Sequence, residues 1–179
     1  MVELVANSVS DQVSGRHLEG VDLRIIDLQC VTSIMPYKGQ DEVVSNLLLK
    51  AHGVKFPEPN RVIMSGLVRA LWFSRRQVFL IGVTPDPGLT KHAALVDQSD
   101  AWVVIELEGP RVLEVLCRLV PIDLRTSQFR QNHTARTQLI HMMVSITRVE
   151  KNCFHIMGFR STAMSLVQHV SRAMSAIVT

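Results

Sequence analysis

The pattern of apolar and polar positions in the first half of the chain predicts one strand, one helix and then a meander of strands. Apolar and β-branched residues are dense over 23–31, which indicates a strand, and Pro36 marks the break after it. Apolar residues then recur at helical spacing over 44–51, which predicts a helix with Asp41 as its N-cap and Gly53 as its stop. Three strand-like runs with short breaks at Ser65-Gly66 and Arg75-Arg76 follow, as in an antiparallel meander: 61–64, 68–74 and 77–83.

The second half of the pattern predicts four strands and two helices. In order, these are strands over 94–98 and 102–108, a helix opened by Gly109-Pro110 and ended by Pro121, a hairpin with strands over 137–149 and 153–159, and a last helix capped by Ser161. Residues 121–135 are polar and irregular. Apolar residues of the last helix repeat every three or four positions, which is typical of a helix packed on a core.

This order of elements predicts an α+β fold. Strands joined by short turns, with helices laid over one face, are typical of antiparallel sheets, and the strand–helix alternation of a doubly wound nucleotide-binding fold is missing. Residues 1–20 have weak periodicity and are interpreted as an N-terminal arm. Residues 21–179 are interpreted as a single domain, with two halves, 21–88 and 89–179, as the alternative.

Composition adds an expectation about partners. Apolar residues make up 47% of the chain and charged residues only 20%, with a mean hydropathy of +0.19. No run approaches the roughly 18 apolar residues of a membrane span, and no signal peptide is visible, so a cytoplasmic protein is expected. Surplus apolar surface without a membrane span suggests burial against other proteins. Cys30, Cys117 and Cys153 are an odd number of cysteines among apolar neighbours and are interpreted as reduced core residues.

The charge balance brings nucleic acid into consideration and then disfavours it. The formal net charge is +3 and the isoelectric point about 9.0, and phosphate contacts dominate the affinity of nucleic-acid-binding proteins. However, the basic residues are spread evenly along the chain, and no RNA-binding aromatic motif lies among them. Solvated faces and salt bridges to partner chains are the favoured interpretation, and a basic nucleic-acid-binding module is the weaker one.

No catalytic, cofactor-binding or metal-ligating residue is assigned from the sequence. Neither GxGxxG after a strand nor GxxxxGK[ST] occurs, so the chain lacks the usual backbone devices for dinucleotides and triphosphates. No two of the seven histidines have the close helical spacing of a zinc site. A flavin bound by this chain alone is therefore not expected.

Three side chains near the predicted hairpin are weighed individually. His141 and His155 fall on its two strands, where they can face each other, but each is preferred as a hydrogen-bonded surface or interface histidine. Cys153 shares a strand face with His155. A Cys–His nucleophile pair is one interpretation of the last two. Packing is preferred, because nothing in the sequence lowers the pKa of the thiol and a third metal ligand is missing. Whether these three side chains have a role beyond packing stays open.

A second polar cluster lies in the turn between two predicted strands. Asp97, Ser99 and Asp100 are expected to satisfy backbone donors there, as short polar side chains in turns usually do. His92 lies near this turn in the sequence, so a constellation with Ser99 and Asp97 is the alternative. Trp102 and the Trp72-Phe73 pair are expected either in the core or as anchors of a subunit interface.

An ordered series of segments resembles the gamma subunit of heterotetrameric sarcosine oxidases. The resemblance covers 90–179 well and 20–83 loosely. It is carried by 94–102 (ALVDQSDAW), Glu108-Gly109-Pro110, 118–124 (RLVPIDL), Ala135-Arg136-Thr137 and Phe159-Arg160-Ser161.

The resemblance implies a fold like part of the aminomethyltransferase, or glycine-cleavage T-protein, fold. It implies a complex that oxidatively demethylates sarcosine or a related N-methyl amino acid in one-carbon metabolism. FAD, FMN and NAD would belong to its alpha and beta chains, folate to the alpha chain and zinc to the delta chain. The gamma chain would carry no cofactor and would pack against these partners.

Two departures from the family pattern leave the substrate open. The chain has Arg125-Thr126 where typical gamma chains have proline, and its Arg75-Arg76 turn is unusually basic. A gamma-like subunit of an N-methylglutamate dehydrogenase is therefore an alternative. A stand-alone folate-binding aminomethyltransferase-like protein is another, although such enzymes are about twice the length of this chain.

Overall fold

The computed structural model describes residues 15–18, 20–28 and 30–177. In chain order its elements are β1 (Arg16–Leu18), β2 (Val21–Ile26), β3 (Val31–Pro36), α1 (Asp41–His52), β4 (Val62–Ser65), β5 (Val68–Ser74), β6 (Gln77–Ile81), β7 (Ala93–Asp97), β8 (Trp102–Glu108), α2 (Val112–Leu116), β9 (Thr134–Leu139), β10 (Met142–Glu150), β11 (Cys153–Phe159) and α3 (Ala163–Ser175). Short 3₁₀ turns precede β7 and α3, at Pro87–Lys91 and Arg160–Thr162.

The strands form two antiparallel sheets, which confirms the predicted α+β class. The large sheet has the order β1-β2-β8-β11-β10-β9, and the small sheet has the order β4-β5-β6-β3-β7. The small sheet is built from one continuous stretch of chain that is inserted between β2 and β8 of the large sheet. A backbone bridge between Arg61 and His133 joins the two sheets at one edge.

The sequence predicted helices over one face of the strands. That prediction is wrong, because the helices lie on the outer faces of both sheets. Helix α1 packs on the small sheet through Val44 and Leu48. Helices α2 and α3 share an apolar cluster with one face of the large sheet. A third cluster, which includes Phe79 of the small sheet and Val104 and Met157 of the large sheet, fills the space between the sheets. The layers are therefore helix, sheet, sheet and helix.

The strand predicted over 23–31 is wrong, because that stretch is divided between the two sheets. Val21 and Leu23 of β2 pack toward α2 and α3, whereas Val31 of β3 packs between the sheets. One straight strand cannot reach both places, and the chain crosses from one sheet to the other after Ile26. Pro36 was predicted to mark the break after the strand, but it is the last residue of β3.

The strand predicted over 137–149 is also wrong, since a tight turn at Ile140 and His141 divides it. Ile140 has a φ of 57°, which is unusual for a β-branched residue. No Gly, Asn or Pro marked the turn. The hairpin of β10 and β11 is confirmed, and β9 adds a third strand to it.

Helix ends agree with the sequence only in part. Gly53 ends α1 at a φ of 71°, as predicted, but Asp41 is the first helical residue and Gln40 is the N-cap, without a side-chain hydrogen bond. Ser161 lies inside the 3₁₀ turn before α3, and Thr162 takes the N-cap position. Helix α2 is shorter than predicted because its i to i+3 hydrogen bonds tighten the chain after Leu116.

Of the predicted N-terminal arm, residues 1–14 and 19 lie outside the described residues, and Arg16–Leu18 form edge strand β1 on β2. The single domain over 21–179 stays a prediction. The division between the sheets does not coincide with residue 88, since β7 after that residue pairs with β3. Within the described ranges, no helix is long and apolar enough to span a membrane.

Candidate functional site

A cluster of titratable side chains lies between the two sheets. We call it the inter-sheet cluster, and it consists of Arg69, Glu106, Cys153 and His155. Arg69 is on β5 of the small sheet, and the other three residues are on β8 and β11 of the large sheet. His155 is paired with Glu106 in the register of these strands. Strand alternation turns their side chains toward the small sheet.

The hydrogen bonds of the inter-sheet cluster fix the tautomer of its histidine. Nη1 of Arg69 lies 2.6 Å from Nδ1 of His155, and Nε2 of His155 lies 3.0 Å from Oε2 of Glu106. Since a guanidinium only donates, Nδ1 must accept, and the single imidazole proton then sits on Nε2 and is donated to Glu106. His155 is thus a neutral link between a cation on one sheet and an anion on the other.

Electrostatics favour the same protonation state. Burial lowers the pKa of His155, and the positive charge of Arg69 lowers it further, while the hydrogen bond and charge of Glu106 act against both. The pKa of Arg69 is also lowered by burial, against the attraction of Glu106. His155 is 6% exposed, so water screens these interactions weakly.

Cys153, the thiol of the inter-sheet cluster, is buried and is not activated. Burial, followed by the negative charges of Glu106, Glu108 and Glu150, raises its pKa to about 12. The thiol is therefore protonated at neutral pH, whereas nucleophilic cysteines have a lowered pKa. His155 does not serve as its base, because its acceptor nitrogen already receives a hydrogen bond from Arg69.

Glu106, Cys153 and His155 are also close enough to be tested as a metal site, since their ligand atoms lie within 4.8 Å of one another. A metal on Nε2 would need the imidazole proton on Nδ1, where Arg69 already donates. A metal on Nδ1 would have to displace the guanidinium. The thiol would also have to lose a proton at a raised pKa. The chemistry of these donors does not fit a metal ion.

His141 and His155 do not face each other, and His155 is buried and not at the surface, where it was expected. His141 lies in the turn between β9 and β10, and its ring contacts that of His169 on α3 at 5.5 Å between centroids. His155 is paired with Thr147 on β10. Thr147 is six positions after His141, so the register of the hairpin alone keeps the two histidines apart, and the missed turn also moves His141 out of the strand.

In the polar turn after β7, the side chains of Asp97 and Ser99 accept hydrogen bonds from backbone amides. The hydroxyl and amide of Ser99 both donate to Oδ1 of Asp97, at 2.6 Å and 2.9 Å, and its hydroxyl oxygen accepts from the amide of Val31. His92 bonds instead to Gln40. It precedes β7 while Asp97 ends that strand, so about 16 Å of extended chain separates them. The turn and His92 do not form one constellation.

The aromatic side chains meet at one end of the inter-sheet space. Trp102 packs edge-on against Phe73 and Phe79 and stacks on Phe159 at 4.5 Å between centroids. Trp102 is 8% exposed and belongs to the core, whereas Phe159 is 45% exposed. Of this group, Phe159 presents the most surface to a partner.

Arg69 and Glu106 were missed by the sequence analysis. Arg69 is the charged residue on the inward face of VRALWFS, and Glu106 follows apolar Trp102 and Val104 on the inward face of WVVIELE, which ends with Glu108. Reading the alternation for such inward charges is the signal that finds them, because a buried charge is rarely left without a partner.

Comparison with known proteins shows a likeness in fold to solved structures. The sequence matches no family model and no curated protein. The fold matches a chain in the structure of heterotetrameric sarcosine oxidase from Corynebacterium sp. U-96 in complex with pyrrole 2-carboxylate. The TM-score is 0.77 and the identity 23%, over 89% of this chain and 86% of that chain.

A second structure, the ligand-free regulatory subunit of aspartate kinase from Thermus thermophilus, matches over 88% of this chain and 99% of that chain, at 13% identity. Its TM-score of 0.39 does not establish a shared fold. The chain thus shares its two-sheet fold with a chain of heterotetrameric sarcosine oxidase.

Proposed function

We propose that this chain is a non-catalytic, structural subunit of a multi-subunit, sarcosine-oxidase-type flavoenzyme. The complex would oxidatively demethylate sarcosine or a related N-methyl amino acid. The observation that carries the proposal is the likeness in fold to a chain of heterotetrameric sarcosine oxidase, which spans most of both chains. The ordered series of matching segments over 90–179 points to the gamma chain.

The inter-sheet cluster supports a non-catalytic role. Both imidazole nitrogens of His155 are used by the chain's own residues, and the neighbouring thiol is held protonated. A general base or nucleophile needs a free lone pair at neutral pH. In the proposed complex the alpha, beta and delta chains would hold FAD, FMN, NAD, folate and zinc.

Several exposed apolar side chains support a role in assembly. Leu67 is 87% exposed, and Tyr37, Ile140, Met143, Phe159 and Met164 are each between 44% and 49% exposed. Tyr, Phe and Met, which make up most of this set, are enriched in protein interfaces relative to the rest of the surface.

The two departures from the gamma-chain pattern have local structural explanations. Arg125 forms a two-pronged ion pair with Asp123, and Arg76 donates to the carbonyl of Pro36 at 3.1 Å. Contact with a substrate is therefore not needed to explain either arginine. An N-methylglutamate dehydrogenase remains the second candidate, since substrate choice would lie with the partner chains.

Co-expression with the neighbouring genes tests the proposal. We expect a tagged copy of this chain to co-purify with a yellow flavoprotein at fixed stoichiometry, while the chain alone is colourless. Oxidation assays of the complex with sarcosine and N-methylglutamate then distinguish the two candidates. A chain that stays monomeric, binds folate tightly and captures no flavoprotein contradicts the proposal.

A further inference from the structure

A cleft opens from the protein surface onto Arg69 of the inter-sheet cluster, and we call it the Arg69 cleft. Its volume is about 250 Å³, and its lining includes the apolar residues Ile26, Leu28, Leu67 and Ile81. A smaller space of about 20 Å³, which also borders Arg69, Leu28 and Ile81, leads on to His155. That inner space has room for about one water molecule. Only the outer cleft has room for a ligand.

The guanidinium of Arg69 is half-buried and only partly neutralised. Within the described residues its hydrogen bond goes to neutral His155, and it forms no direct ion pair with a carboxylate. Glu106, whose negative charge acts on Arg69, lies on the far side of the imidazole. Its charge is shared with Arg24, whose Nη1 is 3.8 Å from Oε1 of Glu106.

We propose that the Arg69 cleft binds a small organic monocarboxylate, with its carboxylate on the guanidinium of Arg69 and a short aliphatic body against the apolar walls. The planar donors of a guanidinium match the two oxygens of a carboxylate. Partial burial strengthens this pairing relative to the same pair in water. The site is assigned to this chain itself and does not depend on its membership of the proposed complex.

The size and charge of the cleft limit the ligand further. Its volume lies below the roughly 300–1,000 Å³ of sites for drug-sized molecules, which favours an acid of a few carbon atoms. Asp27 also lines the cleft and is exposed. Its negative charge opposes a second carboxylate on the ligand, so dicarboxylates are disfavoured.

The experiment titrates the full-length chain with propionate and, separately, with propionamide at constant ionic strength. Calorimetry gives the affinity, and the nitrogen chemical shifts of the His155 ring report events at its Arg69 contact. We expect saturable binding of propionate that moves the His155 signals. Propionamide, which has nearly the same shape but no charge, should bind about 10- to 100-fold more weakly.

Two variants test the assignment in opposite directions. Arg69→Met should weaken propionate binding by about 10- to 100-fold, because the charged donors are lost. Asp27→Asn should strengthen it by about 2- to 5-fold, because a like charge is removed. The comparison of acid with amide on the unmodified chain keeps the test decisive where Arg69→Met fails to fold.

The proposal is overturned by any of three results. These are equal binding of propionate and propionamide, no saturable binding of propionate, and wild-type affinity in a folded Arg69→Met chain. Failure of the chain to join a flavoprotein complex is a separate outcome and leaves these measurements interpretable.

Discussion

Acidification is predicted to weaken the fold through His155. Burial and then the charge of Arg69 lower its pKa in the folded chain, whereas a histidine in the unfolded chain has a pKa of about 6.5. Between these two values the unfolded chain binds a proton that the folded chain does not. The free energy of unfolding therefore falls as the pH falls below about 6.5, and the full contribution is present above that value.

The size of the change in the free energy of unfolding follows from the one proton that His155 binds and its two hydrogen bonds. A single proton changes the free energy of unfolding by at most about 1.4 kcal/mol per pH unit. His155→Gln keeps one acceptor for Arg69 and one donor for Glu106 but does not titrate. We expect it to be within about 1 kcal/mol of wild type at about pH 8. His155→Phe removes both hydrogen bonds and leaves the guanidinium of Arg69 without its acceptor, so it should cost about 1–3 kcal/mol at the same pH.

Urea unfolding at about pH 8 and about pH 5.5 provides the assay, with the slope in urea checked for two-state behaviour. Other histidines titrate in both chains, so the informative quantity is the difference between wild type and His155→Gln. We expect wild type to lose more stability than the variant on acidification. Equal losses in the two chains, or a His155 ring that titrates at or above the ordinary histidine pKa, would refute the reasoning.

Three further predictions concern other parts of the chain. At about pH 8 iodoacetamide should label exposed Cys117 and leave buried Cys153 unmodified, since its pKa is about 12, as peptide mass spectrometry will show. Gly82→Ala should destabilise the fold by more than about 1 kcal/mol in urea unfolding, because its Cβ would lie 2.5 Å from a backbone oxygen at a φ of 89°. The control Gly66→Ala has a φ of 58° and no neighbour within 4 Å, so it should cost less. Ile140→Asn should raise the midpoint of thermal unfolding by relieving up to about 1 kcal/mol of turn strain at a φ of 57°. An unchanged or lower midpoint contradicts that assignment of strain.

The pattern of apolar and polar residues was sufficient to predict those strands that are bounded by turn-forming residues. The strands Val68–Ser74, Trp102–Glu108 and Cys153–Phe159 match their predicted bounds, because alternation of inward and outward residues is a property of each segment alone. It failed over 23–31, where one apolar run serves two sheets. It also failed at Ile140, where surrounding structure holds a β-branched residue at a positive φ.

The candidate site was predictable only on one strand. Cys153 and His155 are two residues apart, so strand alternation placed them on one face. Their partners come from elsewhere: Arg69 is 86 positions from His155, and Glu106 is 49 positions from it. These contacts depend on which strands are neighbours and on how the small sheet lies on the large one. No pattern within a single segment carries that information.

The hydrogen bonds of the inter-sheet cluster separate binding from chemistry in this chain. His155 gives its proton to Glu106 and its lone pair to Arg69, so no acid–base capacity is left for a bound molecule. Arg69 uses one of its five N–H donors on His155 and faces an open cleft. A ligand in that cleft would consequently be held by charge and apolar contact without being transformed. That arrangement is compatible with a structural subunit whose catalytic groups lie on other chains.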